Sequence, residues 1–376
     1  MARVIVSSTR FVSMLTNRHM EVMHFREGLR AEIDVQRLAA EDQELEFEQL
    51  VALAKRFGRP WPYLLVDAPE ELGKRPRDNR TVANQKQPLS SDLVDQIGLV
   101  EAMLGAASEL FPEVAFEVPK LTITLDTAVV DAAAAIRELL GVSWDEQVAT
   151  KGDYAALRLW SFALQEQGVY VSMRHLEDPT ARAFSIVSGR QVVVVADTQD
   201  IPYARIFSLL HEYAHVVLRS AGVCDLDEDA TVEWYCNSVA AAVLMPGGLL
   251  RRELPKRAWG VSVEADEKET AYLASRFGVS KASLLIRLRD CGVLAPHQYE
   301  VLERRRSERR GRSDKKGGRY YPAAINKVGR RFARGVVGAY ETGAIDRQDA
   351  SALVEIPEHN FGRFRTELAK SGGGGG

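Results

Sequence analysis

The sequence predicts an α+β protein, mostly helical, with one small antiparallel sheet. Three observations predict it. Apolar residues recur at helical spacing along most of the chain. Only "VYVSM" (169–173), "AFSIV" (183–187) and "QVVVV" (191–195) form short β-branched or aromatic runs. The last two are separated by "SGR", a hairpin signal.

Taken in order, residues 1–66 read as short helices. The clearest is "LEFEQLVALAKRFG" (45–58), with Leu50, Leu53, Ala54 and Phe57 on one stripe and Gly58 as a stop. Residues 67–125 read as a linker followed by a helix near 91–110. "RPWPYLLVDAPEELGKRPRDNR" contributes four prolines and many charges to that linker. Residues 126–250 hold helices at 127–141, with Thr127 as cap and Gly141 as stop, and at 152–167. The three strands follow, then helices at 203–220 and 228–245. Residues 251–371 are expected to be helical at 266–277, 281–291, 295–306, 323–341 and 346–353. They are interrupted by a basic linker at 304–319, which has nine Lys/Arg against two acids. The glycines at 372–376 form a tail outside the fold. In the hairpin, "VVVV" (192–195) is apolar on both faces and belongs inside the sheet, which leaves "AFSIV" as the edge.

Length and composition narrow the function. A chain of 376 residues suggests two or three domains. A net charge of −3 argues against wholesale nucleic-acid binding. Three cysteines (Cys224, Cys236, Cys291) without a repeated spacing imply no disulfide framework. The N-terminal stretch lacks the apolar core of a signal peptide, and no run reaches the length of a membrane span. A cytoplasmic protein without a membrane partner is expected; oligomeric state is left open.

The chemistry concentrates in "RIFSLLHEYAHVVLRSAG". Residues four apart share a helix face, so His211 and His215 can offer imidazole nitrogens to one ion. Glu212 lies roughly 100° further round the helix. It can therefore reach a water on the ion without being a ligand. This is the H-E-x-x-H spacing of metallopeptidases. Burying two histidines and a glutamate in so apolar a helix without a partner would be costly. A third ligand is needed, and Glu233 stands on the next helix, where Ala240, Ala241 and Ala242 permit close approach. Glu228, Asp225, Asp227 and Asp229 crowd the same region, and Cys224 and Cys236 are rival soft ligands. His2Glu suits zinc, and manganese is compatible by ligand type. Tyr203, Arg205, Tyr235 and His297 are candidate donors to an oxyanion.

These residues resemble the ImmA/IrrE metallopeptidase-like proteins, in their long form with an N-terminal helix-turn-helix-like region. Phe207 and Ser208 precede the histidine motif as they do in that family. "EWYCNSVAAAVLMP" (233–246) matches at Glu233, Asn237, Ala240, Ala241, Leu244, Met245 and Pro246, and departs at Cys236 and Val239. Similarity extends through 63–82, 273–294 and 317–345. The resemblance implies a zincin-like unit over 126–250, zinc held by His211, His215 and Glu233, and Glu212 as the catalytic carboxylate. It further implies a regulatory endopeptidase that cleaves a helix-turn-helix repressor governing stress-response, mobile-element or toxin–antitoxin genes.

The alternative is a DNA-binding transcriptional regulator whose metal site is structural or vestigial. "ETAYLASRFGVSKASLLIRL" (269–288) places Ala274, Gly278, Val279 and Ser280 where a helix-turn-helix turn falls, followed by Lys281, Arg287 and Arg289. A helical pair packed against the peptidase unit is the favoured reading of that stretch. In residues 1–66, "EDQELEFE" would repel phosphate, so a degenerate helix-turn-helix used for protein contact fits better. DNA is the lesser expected partner and a protein substrate the greater.

Overall fold

The computed structural model describes residues 3–17, 22–27, 33–57, 64, 90–113, 123–178, 181–220, 230–255, 259–260, 262–308 and 320–370. Several expected features lie outside these residues: Gly58, most of the proline-rich linker, the acidic turn at 221–229 with Cys224, most of the basic tract and the glycine tail. The chain divides into two compact units. One takes Met1–Arg77, Thr81–Gly105 and Leu176–Ala181; the other takes Asp78–Arg80, Ala106–His175 and Arg182–Gly376.

The first unit contains β1 (Arg3–Val6), α1 (Ser8–Asn17), α2 (Val22–Glu27), α3 (Val35–Ala40), β2 (Gln43–Glu46) and α4 (Phe47–Arg56). β1 and β2 pair antiparallel, Arg3 opposite Glu46 and Ile5 opposite Glu44. This pair was not expected in a region read as helical. The acidic "QELE" carries one apolar residue, Leu45, and its burial suffices to seat the strand. The core is aromatic: Phe11 meets Phe25 and Phe57 edge-on at 5.5 and 5.7 Å, and Phe25 stacks on Phe57 at 4.5 Å. Asp42 accepts from both the Ser8 amide and the Ser8 hydroxyl at 2.8 Å, which caps α1 from 34 residues away. α5 (Ser91–Leu110) divides between the units at Gly105.

The second unit continues with α6 (Val129–Leu140), α7 (Trp144–Ala149), α8 (Asp153–Glu166), β3 (Val169–Arg174), β4 (Ala183–Ser188) and β5 (Gln191–Asp197). The β4–β5 hairpin is antiparallel, as its turn predicts, with Ser185 opposite Val194. β3 adds to β5 in parallel, so the three-stranded sheet is mixed, in the order β3-β5-β4. The valine-rich strand is central and β4 is an edge, as its apolar pattern predicts.

Next come α9 (Pro202–Ser220), α10 (Ala230–Leu244), α11 (Gly247–Glu253), α12 (Val263–Phe277), α13 (Lys281–Asp290) and α14 (Pro296–Glu308). The chain ends in α15 (Tyr320–Val328), α16 (Arg330–Glu341), α17 (Arg347–Leu353) and α18 (Phe361–Lys370). α8 and α9 cover one face of the sheet, α15 and α16 the other at β3. Every residue of β3 and β5 is buried, as helices on both faces require. Val171 and Met173 belong to the core beneath α8 and α9. On the alternate positions of β3, Tyr170 packs against Phe332 of α16, and the Ser172 hydroxyl donates to the Lys327 carbonyl of α15.

The single helix expected over 323–341 is two. Gly329 separates them with φ +85°, and a Cβ there would sit 2.4 Å from the Val171 carbonyl oxygen. Only glycine tolerates both that dihedral and that approach. Thr127 does not cap α6; its hydroxyl accepts from the Thr124 amide at 3.0 Å, and Ala128 opens the helix without a side-chain bond. Gly141 ends α6 at φ +64° as expected. The short helices α7, α11 and α18 were not foreseen.

Candidate metal centre

α9 begins at Pro202, which suits a first helical position because its missing N–H has no intrahelical partner. Every residue of the helix over 208–218 is buried, the apolar Leu209, Leu210, Tyr213, Ala214, Val216 and Val217 among them. A helix of this kind must be enclosed by neighbours, and α8, α10, β4 and β5 pack around it. His211 and Glu212 are fully buried in it and His215 nearly so.

α10 delivers the third group. Glu233 stands in its first turn, and the buried Val239, Ala240, Ala242 and Val243 belong to the same core as α9. The far end of α10 is held by three side chains on its last carbonyls. Arg137 of α6 donates to Val243 (2.8 Å), Gln147 of α7 to Leu244 (3.0 Å) and Arg287 of α13 to Met245 (3.3 Å). Such groups satisfy acceptors that a helix C-terminus leaves unpaired, and the cations suit its dipole. Gln147 also donates to the Phe277 carbonyl at 2.7 Å, tying the ends of α10 and α12 together.

The result is a compact donor set. His211 Nε2 and His215 Nε2 lie 3.1 Å apart, and Glu233 reaches them at 3.4 and 3.1 Å with its two oxygens. All three ligand atoms fall within 4.8 Å of one another, close enough to hold one metal ion. Burial alone would raise the Glu233 carboxyl, but hydrogen bonds from both histidines and their charge hold it down at about 2. The carboxylate is therefore ionised, as a cation ligand must be.

Glu212 points elsewhere, as its position on the helix requires. Its Oε2 accepts from the Ser185 hydroxyl of β4 at 2.9 Å, while Oε1 is buried with no hydrogen-bond partner among the described residues. A buried carboxylate oxygen left open on the residue next to the first histidine fits a centre that takes an ion and a water.

Residues 164–289 match the family model of the IrrE N-terminal-like domain, Peptidase_M78. The matched IrrE-like segment runs from Leu164 near the end of α8, through the sheet, the histidine helix and α10, to α13. The matched segment thus contains the whole donor set. No curated protein matches the chain.

Within and around this IrrE-like segment, His211, His215 and Glu233 come together as the spacing predicts. Cys236 is buried on α10 but lies outside the donor group, whereas Cys224 and the acids at 225–229 fall outside the described residues. Of the four oxyanion candidates, two are bonded elsewhere, one is half-buried and one is exposed. Tyr235 donates to the Thr127 carbonyl at 2.8 Å. Arg205 donates to the carbonyls of Asp200 and Thr198 at 2.8 and 2.5 Å. Tyr203 lies beside Gly278 at the turn between α12 and α13, and His297 is exposed on α14. Sequence reasoning missed Ser185. Its signal was present: it is the one hydroxyl inside the otherwise apolar run "AFSIV".

Proposed function

We propose that the chain is a zinc-dependent regulatory endopeptidase whose substrate is a helix-turn-helix transcriptional repressor. The observation that carries this reading is the pairing of three convergent donors with a separate carboxylate, Glu212, which accepts a hydrogen bond from Ser185. A purely structural zinc site prefers four protein ligands and has no use for the extra acid. A bound ion would supply Lewis acidity and lower the pKa of its water.

The protein's own groups supply the rest. His211, His215 and Glu233 would fix the ion at one end of a buried face. Glu212 would take the water proton through its open oxygen and later pass it to the leaving amine. The Ser185 hydroxyl would keep that carboxylate aimed. The exposed end of β4, with Val187 and Ser188 facing solvent, offers main-chain groups to an extended peptide. A folded repressor would enter only where its cleavage site lies in a loop or opens locally.

The DNA-binding reading draws less support. Arg287 is spent on the Met245 carbonyl, and Arg289 lies over Tyr299 at 4.9 Å and pairs with Asp290. Those contacts favour α12–α13 as a packed pair.

The deciding experiment compares newly generated protein N-termini in cells expressing the wild type or Glu212→Gln. A terminus present only with the wild type, inside a small helix-turn-helix protein, is the expected result. Identical termini under several stresses, with metal still bound, would sink the peptidase reading.

A further inference from the structure

The second unit holds a cavity of about 540 Å³ with no lining residue from α9 or α10. Its walls come from the end of α8, the length of α16 with the residues just after it, and the end of α5 with the residues that follow. Three arginines converge there, Arg330, Arg331 and Arg334, together with Glu113, Glu166 and the ring of Phe162.

The cavity gathers more positive charge than its lining acids balance by contact. Burial disfavours the charge of Arg330, and the neighbouring cations Arg334 and Arg158 disfavour it further. Arg331 and Arg334 make no ion pair among the described residues. Arg331 donates to the Gln165 carbonyl, yet its Nε is buried without a partner. Behind the lining residues, and not one of them, Tyr170 has a hydroxyl that is also buried and unpartnered and that feels the charges of Arg331 and Glu113. Clustered cations and orphaned donors are arrangements that a bound anion relieves. Phe162 is 53% exposed, an apolar ring of α8 beside the arginines.

The floor is made by two glycines of α16 with different jobs. A Cβ at Gly335 would lie 2.8 Å from the Phe111 ring, so that glycine exists for packing. A Cβ at Gly338 would meet nothing within 4 Å. Gly338 therefore leaves space open in mid-helix, where glycine costs roughly 1 kcal/mol relative to alanine.

We propose that this cavity binds a nucleoside monophosphate. The arginines take the phosphate, with guanidinium forks suited to its oxygens. Phe162 stacks against the base, and Glu113 or Glu166 accepts from an exocyclic amino group. The volume suits a ligand of this size.

The test is isothermal titration of the full chain with AMP, GMP, CMP, UMP, adenosine and inorganic phosphate. At least one amino-bearing nucleotide is expected to bind saturably with a sub-millimolar Kd. UMP, adenosine and phosphate are each expected to bind it at least about tenfold more weakly. Arg334→Gln, at an exposed position, should weaken binding about tenfold. Gly338→Leu should abolish binding while melting no lower than the wild type, which separates a filled cavity from a lost fold. Absence of saturable binding by all four nucleotides at millimolar concentration overturns the proposal. Binding that survives both variants places the ligand elsewhere and also overturns it. Phosphate binding as tightly as the best nucleotide removes the nucleoside from the assignment.

Discussion

The Ser185 hydroxyl donates to Glu212 Oε2 at 2.9 Å, joining the edge strand β4 to the histidine helix at its one non-ligand acid. Both residues are buried, Glu212 completely. Ser185→Ala removes the donor that aims the carboxylate and touches none of the three converging groups. We expect kcat for peptide cleavage to fall by about tenfold or more, in the range of a lost positioning bond. Metal content by atomic emission should stay at the wild-type level. Loss of metal together with activity would assign Ser185 a purely structural part.

Glu233→Gln tests the donor set itself. The amide keeps the shape but removes the negative charge that both histidines hold in place. Metal affinity should drop by more than the roughly 10–100-fold typical of outer-shell changes. Competition against a chromogenic chelator reads this directly, and the far-UV circular dichroism should be unchanged.

A second acid governs behaviour in acid. Glu355 takes both the Arg174 guanidinium and Lys327, the latter at 2.7 Å, and Arg174 is only 1% exposed. Burial raises the Glu355 carboxyl, but the charge and hydrogen bond of Arg174, with those of Lys327, hold it below the usual carboxylate value. A lowered folded pKa contributes stability above the unfolded value, near 4.3. That contribution is lost as pH falls through the lowered folded pKa. Urea midpoints should therefore decline in this acid range for the wild type and decline less for Glu355→Gln. At neutral pH the same variant should lose about 2 kcal/mol, the cost of a charged hydrogen bond removed from an Arg174 that keeps its other contacts. Equal acid slopes for the two proteins would contradict this.

Gln147 is expected to matter more than its place on a six-residue helix suggests. Its amide nitrogen bonds two carbonyls, Leu244 and Phe277, in a buried setting. Gln147→Leu leaves both acceptors dry and should cost about 2 kcal/mol or more. Because α10 carries Glu233, metal affinity should weaken alongside. A melting curve unchanged from the wild type would show that other groups serve those carbonyls.

The parts legible in the sequence were those written in local pattern. The histidine and glutamate spacing, the α9 and α10 helices, the hairpin and the central placing of the valine strand all follow from periodicity and short motifs. What escaped depends on residues far apart in the chain. Nothing near Gly329 announces Val171, 158 positions earlier, whose carbonyl forbids a side chain there. The three side chains on the end of α10 come from 106, 97 and 42 residues away. Ser185 reads as a neutral strand residue until α9 is laid across it. The β1–β2 pair was missed because its acids mask the single buried leucine that matters.

The edge position of β4 has a consequence for how peptides would be told apart. The strand at the sheet edge among the described residues also carries the buried hydroxyl that donates to Glu212. A peptide that zips fully along β4 would stiffen it and sharpen that aim; one that pairs badly would leave the acid loose. On the proposed function, good and poor peptides would then differ in turnover as well as in occupancy.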